Sequence, residues 1–451
     1  MRGVFLHEIA QLLGLAFSGE GQISGYRVDS RAVQPGDLFF ALKGEKVDGH
    51  RFLSDVAERG AVAAVVSEAV EDCRLTLFLV DDVLAALQQL ARELFVTHRI
   101  PLLGITGSVG KTTVKEFAAT LLSGKFHVAK SPLSHNSKIT YPLSLLNRTP
   151  EDQVMVSELG MSFPGEIATL VNIAPPEVAM ITKVALAHAQ NFPEGISGIA
   201  RAKAEIFSHP STKVAILDSE LMAYPEIREA LPKKRVLVSL DDASADLYLA
   251  FSNNRFFVDE CGVRVAQFDL PFREKHFIQD ALLAMAAARQ FGMQWEEIEQ
   301  QLPKLSLPGM RFERVERGGV SIINDAYNAN PASVRAALES FPAPKPGGKK
   351  IAVLGTMKEL GSFSEKAHEE IGHFAQTRVD QLLCLGEEAS PLFEAFKEGK
   401  KPAEHFKDHA SLAKRLQELI SPGDVVLLKG SRSMEIEKIL EMAFPDAAAT
   451  L

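Results

Sequence analysis

A chain of 451 residues, 46% apolar and 24% charged, is long enough for roughly two to four packed domains and too apolar for disorder. Its formal net charge of -9 argues against a general nucleic-acid or membrane-surface binder, yet leaves room for an anionic small ligand held by a local cluster of donors. The three cysteines, Cys73, Cys261 and Cys384, lie too far apart for a disulfide framework or a zinc knuckle, which fits a reducing compartment.

The first residues, MRGVFLHEIAQLLGL, put His7 and Glu8 where a signal peptide needs apolar side chains. No later run is long and apolar enough for a membrane helix, so the expected location is the cytoplasm. Helical spacing over 4–15 gathers Val4, Phe5, Ile9, Leu12 and Leu13 on one side. Asp29-Ser30-Arg31 and Pro35-Gly36-Asp37 then punctuate short strand-like runs. A hydroxyl beside a guanidinium suits a diphosphate, but composition alone assigns Ser30 and Arg31 to solvent. AVAAVV and LTLFLV read as strands, and the first domain ends near Asp82.

A second segment opens with an amphipathic helix over 83–95 and continues into PLLGITGSVGKTTVKE at 101–116. An apolar strand, a glycine-flanked turn and a helix start make Gly107, Ser108, Val109, Gly110, Lys111, Thr112 and Thr113 a phosphate-cradling loop. Lys111 supplies charge and the Thr112 hydroxyl is placed for a magnesium ion. The loop is a variant, because Ile105 stands where the common pattern has its first glycine. QVMVSELGM sets an apolar strand before Glu158, and EVAMITKVALAH another before His188. In parallel sheets ligands gather outside the carboxyl ends of strands, so Lys111, Glu158 and His188 are expected at one edge, with Thr112 forming a magnesium environment. Singly, Glu158 reads as a surface charge and His188 as a helix cap. GISGIARAKAEIF is helical, and its periodicity gives no reason to single out Lys203, which reads as part of a solvated face. LPGMRF marks a linker near 308–310.

The third segment alternates strands and helices again, from VSIINDAYNANPASVRAAL through IAVLGTM, QLLCLGE and DVVLLKGS. Asp325, Asn328, Lys429, Ser431 and Arg432 are polar groups at its strand ends. Two α/β domains with polar strand ends predict a cleft between them.

Together the motifs DSRAVQPGDLFFALKGEKVDGHRF, ITGSVGKTT, ELGMSFPGEI, IARAKAEIF, LPGMRFE, DAYNANP, VLGTMKELG and LKGSRSME resemble, in order, those of the ATP-dependent Mur ligases. That resemblance implies an α/β protein of three domains: 1–82 for a UDP-sugar nucleotide, 83–309 a central phosphate-loop, parallel-sheet domain for ATP, and 310–451 a Rossmann-like domain contacting ATP and a dipeptide. ELGM followed by PGEI points to the branch that joins D-alanyl-D-alanine to UDP-N-acetylmuramoyl-tripeptide through an acyl phosphate, as a monomer with no nucleic-acid or membrane partner.

Under the same resemblance, Ser30 and Arg31 hold the UDP end, reversing the composition reading, and Arg311 and Asp325 contact nucleotide. Thr112, Glu158 and His188 arrange magnesium, while Lys203 matches a carbamylated lysine that serves a second magnesium. Asn328, Lys429, Ser431 and Arg432 meet the dipeptide and the reacting carboxylate. Phe277, Asp280, Asn324, Thr356 and Lys183 depart from the residues usual in the family, so local differences in nucleotide or dipeptide contacts are expected. The alternatives are a sibling ligase adding a single amino acid, a folate-glutamate ligase, or a phosphate-loop ATPase that forms no amide bond.

Overall fold

Apolar strands alternating with amphipathic helices form three separate sheets in the computed structural model, which describes residues 3–44, 47–70 and 73–444. The N-terminal sheet contains β1 (Gly25–Arg27), β2 (Asp37–Phe40), β3 (Ala63–Val66) and β4 (Thr76–Leu79), all parallel and in chain order. Helix Val83–Thr97 follows, started by the Asp82 carboxylate, which accepts from the Leu84 and Ala85 N–H groups.

The middle sheet has nine strands: β5 (Leu102–Thr106), β6 (Val128–Lys130), β7 (Val154–Glu158), β8 (Val178–Ile181), β9 (Val214–Asp218), β10 (Lys234–Ser239), β11 (Leu247–Ser252), β12 (Arg255–Glu260) and β13 (Val263–Phe268). Their spatial order is β13-β12-β11-β10-β9-β8-β5-β7-β6. The strands from β6 to β11 are parallel, as expected for units whose crossover helices cover both faces. The antiparallel β11-β12-β13 extension was not foreseen; Asn253-Asn254 turns the chain tightly, with both residues at positive φ. β5 sits between β7 and β8, the strand inserted last and the one added on its other side, so the loop leaving β5 opens at a topological switch point.

The third sheet holds β14 (Glu313–Arg317), β15 (Val320–Asn324), β16 (Lys350–Gly355), β17 (Gln381–Leu385), β18 (Ala403–Phe406) and β19 (Val425–Lys429), in the order β14-β15-β19-β16-β17-β18. All pairs are parallel except β14-β15. The core strands are almost wholly apolar, because a sheet covered on both faces buries successive side chains alike. Cys73, Cys261 and Cys384 are unpaired. Among the described residues, no helix is long and apolar enough to cross a membrane.

Candidate active site

The turn after β5 is built for close approach. A Cβ at Gly107 would lie 1.9 Å from Thr182 Oγ1, and Gly110, at φ 88, presses on the Asp280 carboxyl, so neither position tolerates a side chain. The segment leaving β8 buttresses the turn: Ser108 N–H donates to Lys183 O at 2.7 Å and the Ser108 hydroxyl to Ala185 O at 2.8 Å. Helix Lys111–Leu122 starts directly behind it, aiming its N-terminal N–H groups and dipole at the turn. Lys111 Nζ lies across the loop, donating to Gly107 O at 2.7 Å.

A cleft of about 870 Å³ opens over this loop, between the middle and C-terminal sheets. It is lined by all of Gly107–Thr113, by Glu158, His188 and Lys203 of the middle domain, and by Arg311, Asp325, Asn328 and Lys429 from beyond the linker. Glu158, the last residue of β7, is fully buried rather than a surface charge. Its Oε2 accepts from Asn136 Nδ2 at 3.3 Å, while Oε1 has no hydrogen bond. His188 is not at a strand end: β8 stops at Ile181, and the histidine sits beyond it in a loop, at φ 55. Its Nδ1 lies 2.5 Å from Glu359 of the C-terminal domain, and this contact holds the Glu359 carboxyl below the usual carboxylate range.

Lys203 is the largest departure from the periodicity reading. Its side chain is only 3% exposed, on the inward face of helix Ile196–Ala204 with Ile199 and Ala200. Burial, reinforced by the charge of Lys111, pushes its amine well below the ordinary lysine range. Burial also lowers the Lys111 ammonium, against the opposing pull of Glu158. The cleft lining therefore brings Lys111, Lys203 and Arg311 together with Glu158.

The C-terminal domain closes the site directly. Arg311 Nη2 donates to Thr112 Oγ1 at 2.8 Å, and its guanidinium lies 4.1 Å over the Tyr327 ring. The Tyr327 hydroxyl bonds that of Ser134, and Asn330 Nδ2 donates to Ser108 O at 3.4 Å. Lys429 is committed within its own domain, with Nζ 2.6 Å from Asp325 Oδ2 and 3.0 Å from Asn328 O, clamping the turn that follows β15.

Other expected residues lie outside the cleft lining. Arg31 is exposed and forms a two-point pair with Asp29, next to a half-buried Ser30. The Ser431 hydroxyl is buried, accepting from Lys358 N–H and donating to Ala329 O. Arg432 is exposed and pairs with Glu437.

Sequence reasoning missed Lys115, whose fully buried Nζ donates to Ser131 O and Leu133 O and lies 3.7 Å from Glu158 Oε1, tying the segment after β6 to the helix behind the loop. Its signal was the four-residue spacing from Lys111, which puts both on one helix face. Tyr327 and Asn330 were within the quoted DAYNANP motif but were not singled out.

The residues in which the family pattern is broken are also accounted for in part. Asp280 is buried behind Gly110, and burial raises its carboxyl well above the ordinary range despite Arg311 and Lys183. His276, beside Phe277, is lowered to about 4 by burial. Asn324 donates to Glu313, the Thr356 hydroxyl to Leu385 O, and Lys183 pairs with Glu220.

No group of three or more His, Cys, Asp or Glu side chains among the described residues is placed to hold a metal by itself. The set nevertheless fits magnesium, which takes one or two protein ligands and completes its shell with phosphate oxygens and water. The unsatisfied Glu158 Oε1 and the Thr112 hydroxyl are the hard oxygen donors this requires.

A glycine-flanked loop at a switch point of the middle sheet faces a second α/β domain across the cleft, and the chain with this arrangement belongs to the Mur ligase family, whose members are ligases. Residues 22–94 match the Mur ligase family catalytic domain, 105–288 the Mur ligase middle domain, and 310–432 the Mur ligase glutamate ligase domain. More particularly, the chain is 33% identical to the UDP-N-acetylmuramoyl-tripeptide--D-alanyl-D-alanine ligase of Bacillus subtilis, covering 93% of each chain. It is 32% identical to the Escherichia coli enzyme of that name, over 98% of each. The crystal structure of MurF from Acinetobacter baumannii superposes with a TM-score of 0.87 at 28% identity, covering 99% of this chain and 100% of that one. MurF ligase from Thermotoga maritima in complex with ADP gives 0.79 at 30% identity, covering 94% and 97%.

Proposed function

We propose that this protein joins D-alanyl-D-alanine to UDP-N-acetylmuramoyl-tripeptide, using ATP and forming ADP and phosphate. The observation that carries the reading is the convergence of the phosphate loop, Glu158 and buried Lys203 with Arg311 of the C-terminal domain in one cleft. A free carboxylate is a poor acyl donor because oxide is a bad leaving group. Transfer of the ATP γ-phosphoryl to the tripeptide carboxylate gives an acyl phosphate, and the dipeptide amine attacks its carbonyl, expelling phosphate.

The loop N–H groups and Lys111 hold the phosphates, and Arg311 brings charge to the transferring group from the C-terminal side. Thr112, Glu158 and His188 are the residues for magnesium. Bound there, the ion neutralises charge on the phosphates. The Lys203 amine, whose charged form burial disfavours, attacks carbon dioxide through nitrogen and loses a proton, giving a carbamate that adds a second anionic group to the lining that holds Glu158. Docked domains keep water from the acyl phosphate.

Exposed Arg31 and half-buried Ser30 lie on the N-terminal domain, where they are available to the UDP end, while Asn328, Lys429, Ser431 and Arg432 shape the dipeptide side. The phosphate loop, Lys203 and Arg311 come from one chain, which supports a monomer, and the use of nucleotide substrates supports a cytoplasmic location.

The test is acceptor dependence. ADP and phosphate release should require both the UDP-linked tripeptide and D-alanyl-D-alanine. Equal turnover without the dipeptide would mark an ATPase, and turnover with a free amino acid in its place would mark a sibling ligase.

A further inference from the structure

Two residues facing one another across the domain boundary both hold the left-handed backbone conformation that side chains disfavour: His188 at φ 55 and Glu359 at φ 64. Such conformations persist where surrounding contacts over-determine them, and they concentrate at sites that need one side-chain direction. Glu359 follows β16 in the C-terminal domain. Its carbonyl accepts from Gln190 N–H at 3.1 Å, and its Oε2 lies 2.5 Å from His188 Nδ1. The Nδ1 atom is shielded from solvent and still lacks a well-directed hydrogen bond, so the pair is close but imperfectly aligned. Contacts in an unloaded site often tighten only when ligand arrives.

With the Glu359 side chain 51% exposed and that of His188 31%, solvent screens the pair too strongly for it to hold two domains together as an ion pair. Its consequence is orientation. A carboxylate accepting from Nδ1–H fixes the tautomer in which Nε2 carries the lone pair, as carboxylates behind metal-binding histidines do. His188 lines the same cleft as the loop Gly107–Thr113, so its ring is within the lining that would surround bound phosphates.

We propose that Glu359 is a positioning residue: docking of the C-terminal domain places its carboxylate behind His188 and thereby prepares the imidazole to receive a divalent cation beside the nucleotide phosphates. The inference rests on reading His188 as a cation ligand. It makes domain docking and completion of the cation site a single event, with the C-terminal domain acting through His188 and not through a ligand of its own.

The test uses the full-length protein with ADP, titrated with Mn²⁺ and followed by electron paramagnetic resonance, alongside the ¹⁵N shifts of the His188 ring. In Glu359→Ala, Mn²⁺ affinity should fall by about tenfold and the ring should become a mixture of tautomers, with metal-free ADP affinity unchanged. Glu359→Gln, whose amide oxygen still accepts from Nδ1–H, should restore most of both. Unchanged Mn²⁺ affinity and ring shifts in Glu359→Ala would overturn the role of Glu359 while leaving the cation site standing. Absence of Mn²⁺ binding by the wild-type ADP complex would overturn the cation site itself, and this inference with it.

Discussion

Lys203 illustrates how a single residue changes meaning once its surroundings are known. On a helix of a chain with 24% charged residues, a lysine is ordinarily solvated, yet this one is buried within reach of the Lys111 charge, and its Nζ makes no hydrogen bond to a described residue. An isolated buried ammonium is costly, and the neutral amine it favours is the form that reacts with carbon dioxide. Lys203→Ala is therefore expected to lower kcat by roughly 10²–10³, with part of the rate regained when acetate or another short carboxylic acid enters the vacated space. Steady-state assays with and without the acid check this, and full unrescued activity would remove the carbamate from the mechanism. Lys115 carries the complementary lesson: equally buried, it is satisfied by two carbonyls and two carboxylates, so its work is structural.

At the scale of elements, helix Glu166–Ile173 shows what the ELGMSFPGEI motif does. Glu166 Oε2 accepts from Ser162 and Phe163 N–H groups, while Glu205, two residues beyond Lys203, accepts from Gly165 N–H at 2.8 Å and Ala168 N–H at 3.0 Å. Two carboxylates thus satisfy the helix start and complement its dipole. Ser162, Pro164 and Gly165 line the cleft, so the same bonds shape one of its walls. Glu205→Ala should cost about 1 kcal/mol of stability and raise KM for the UDP-linked tripeptide more than it lowers kcat. Thermal unfolding and initial-rate kinetics measure the two effects; an unchanged midpoint and KM would show the cap to be dispensable. Glu205 was visible in IARAKAEIF, but its partner helix lies 37 residues earlier for Ala168, beyond the reach of any local pattern.

For the whole molecule, the nucleotide site belongs to two domains at once. Arg311 reaches Thr112, Tyr327 reaches Ser134, and away from the cleft Arg314 pairs with Glu274 beside the linker. ADP at a hundred times its dissociation constant should stabilise the folded state by about 2.7 kcal/mol. Because both domains contact the site, calorimetry should register that stabilisation in the unfolding of the middle and C-terminal domains together. A shift confined to the middle domain would mean that the contacts across the cleft do not bear on nucleotide binding.

The amino-acid sequence by itself determined the three-domain α/β plan, the phosphate loop and the positions of Glu158 and the polar strand ends, because strand periodicity, glycine placement and turn chemistry are local properties. It also carried the family resemblance, through motifs whose order survives along the chain. Only the tertiary structure decided that Lys203 is buried, that His188 leaves its strand and meets Glu359, that Lys429 is held by Asp325 and Asn328, and that Arg311 occupies the Thr112 hydroxyl. Each of these depends on burial or on a partner more than a hundred residues away, or on a contact between domains. Burial and long-range charge set protonation and side-chain direction, and neither is encoded in the spacing of neighbouring residues.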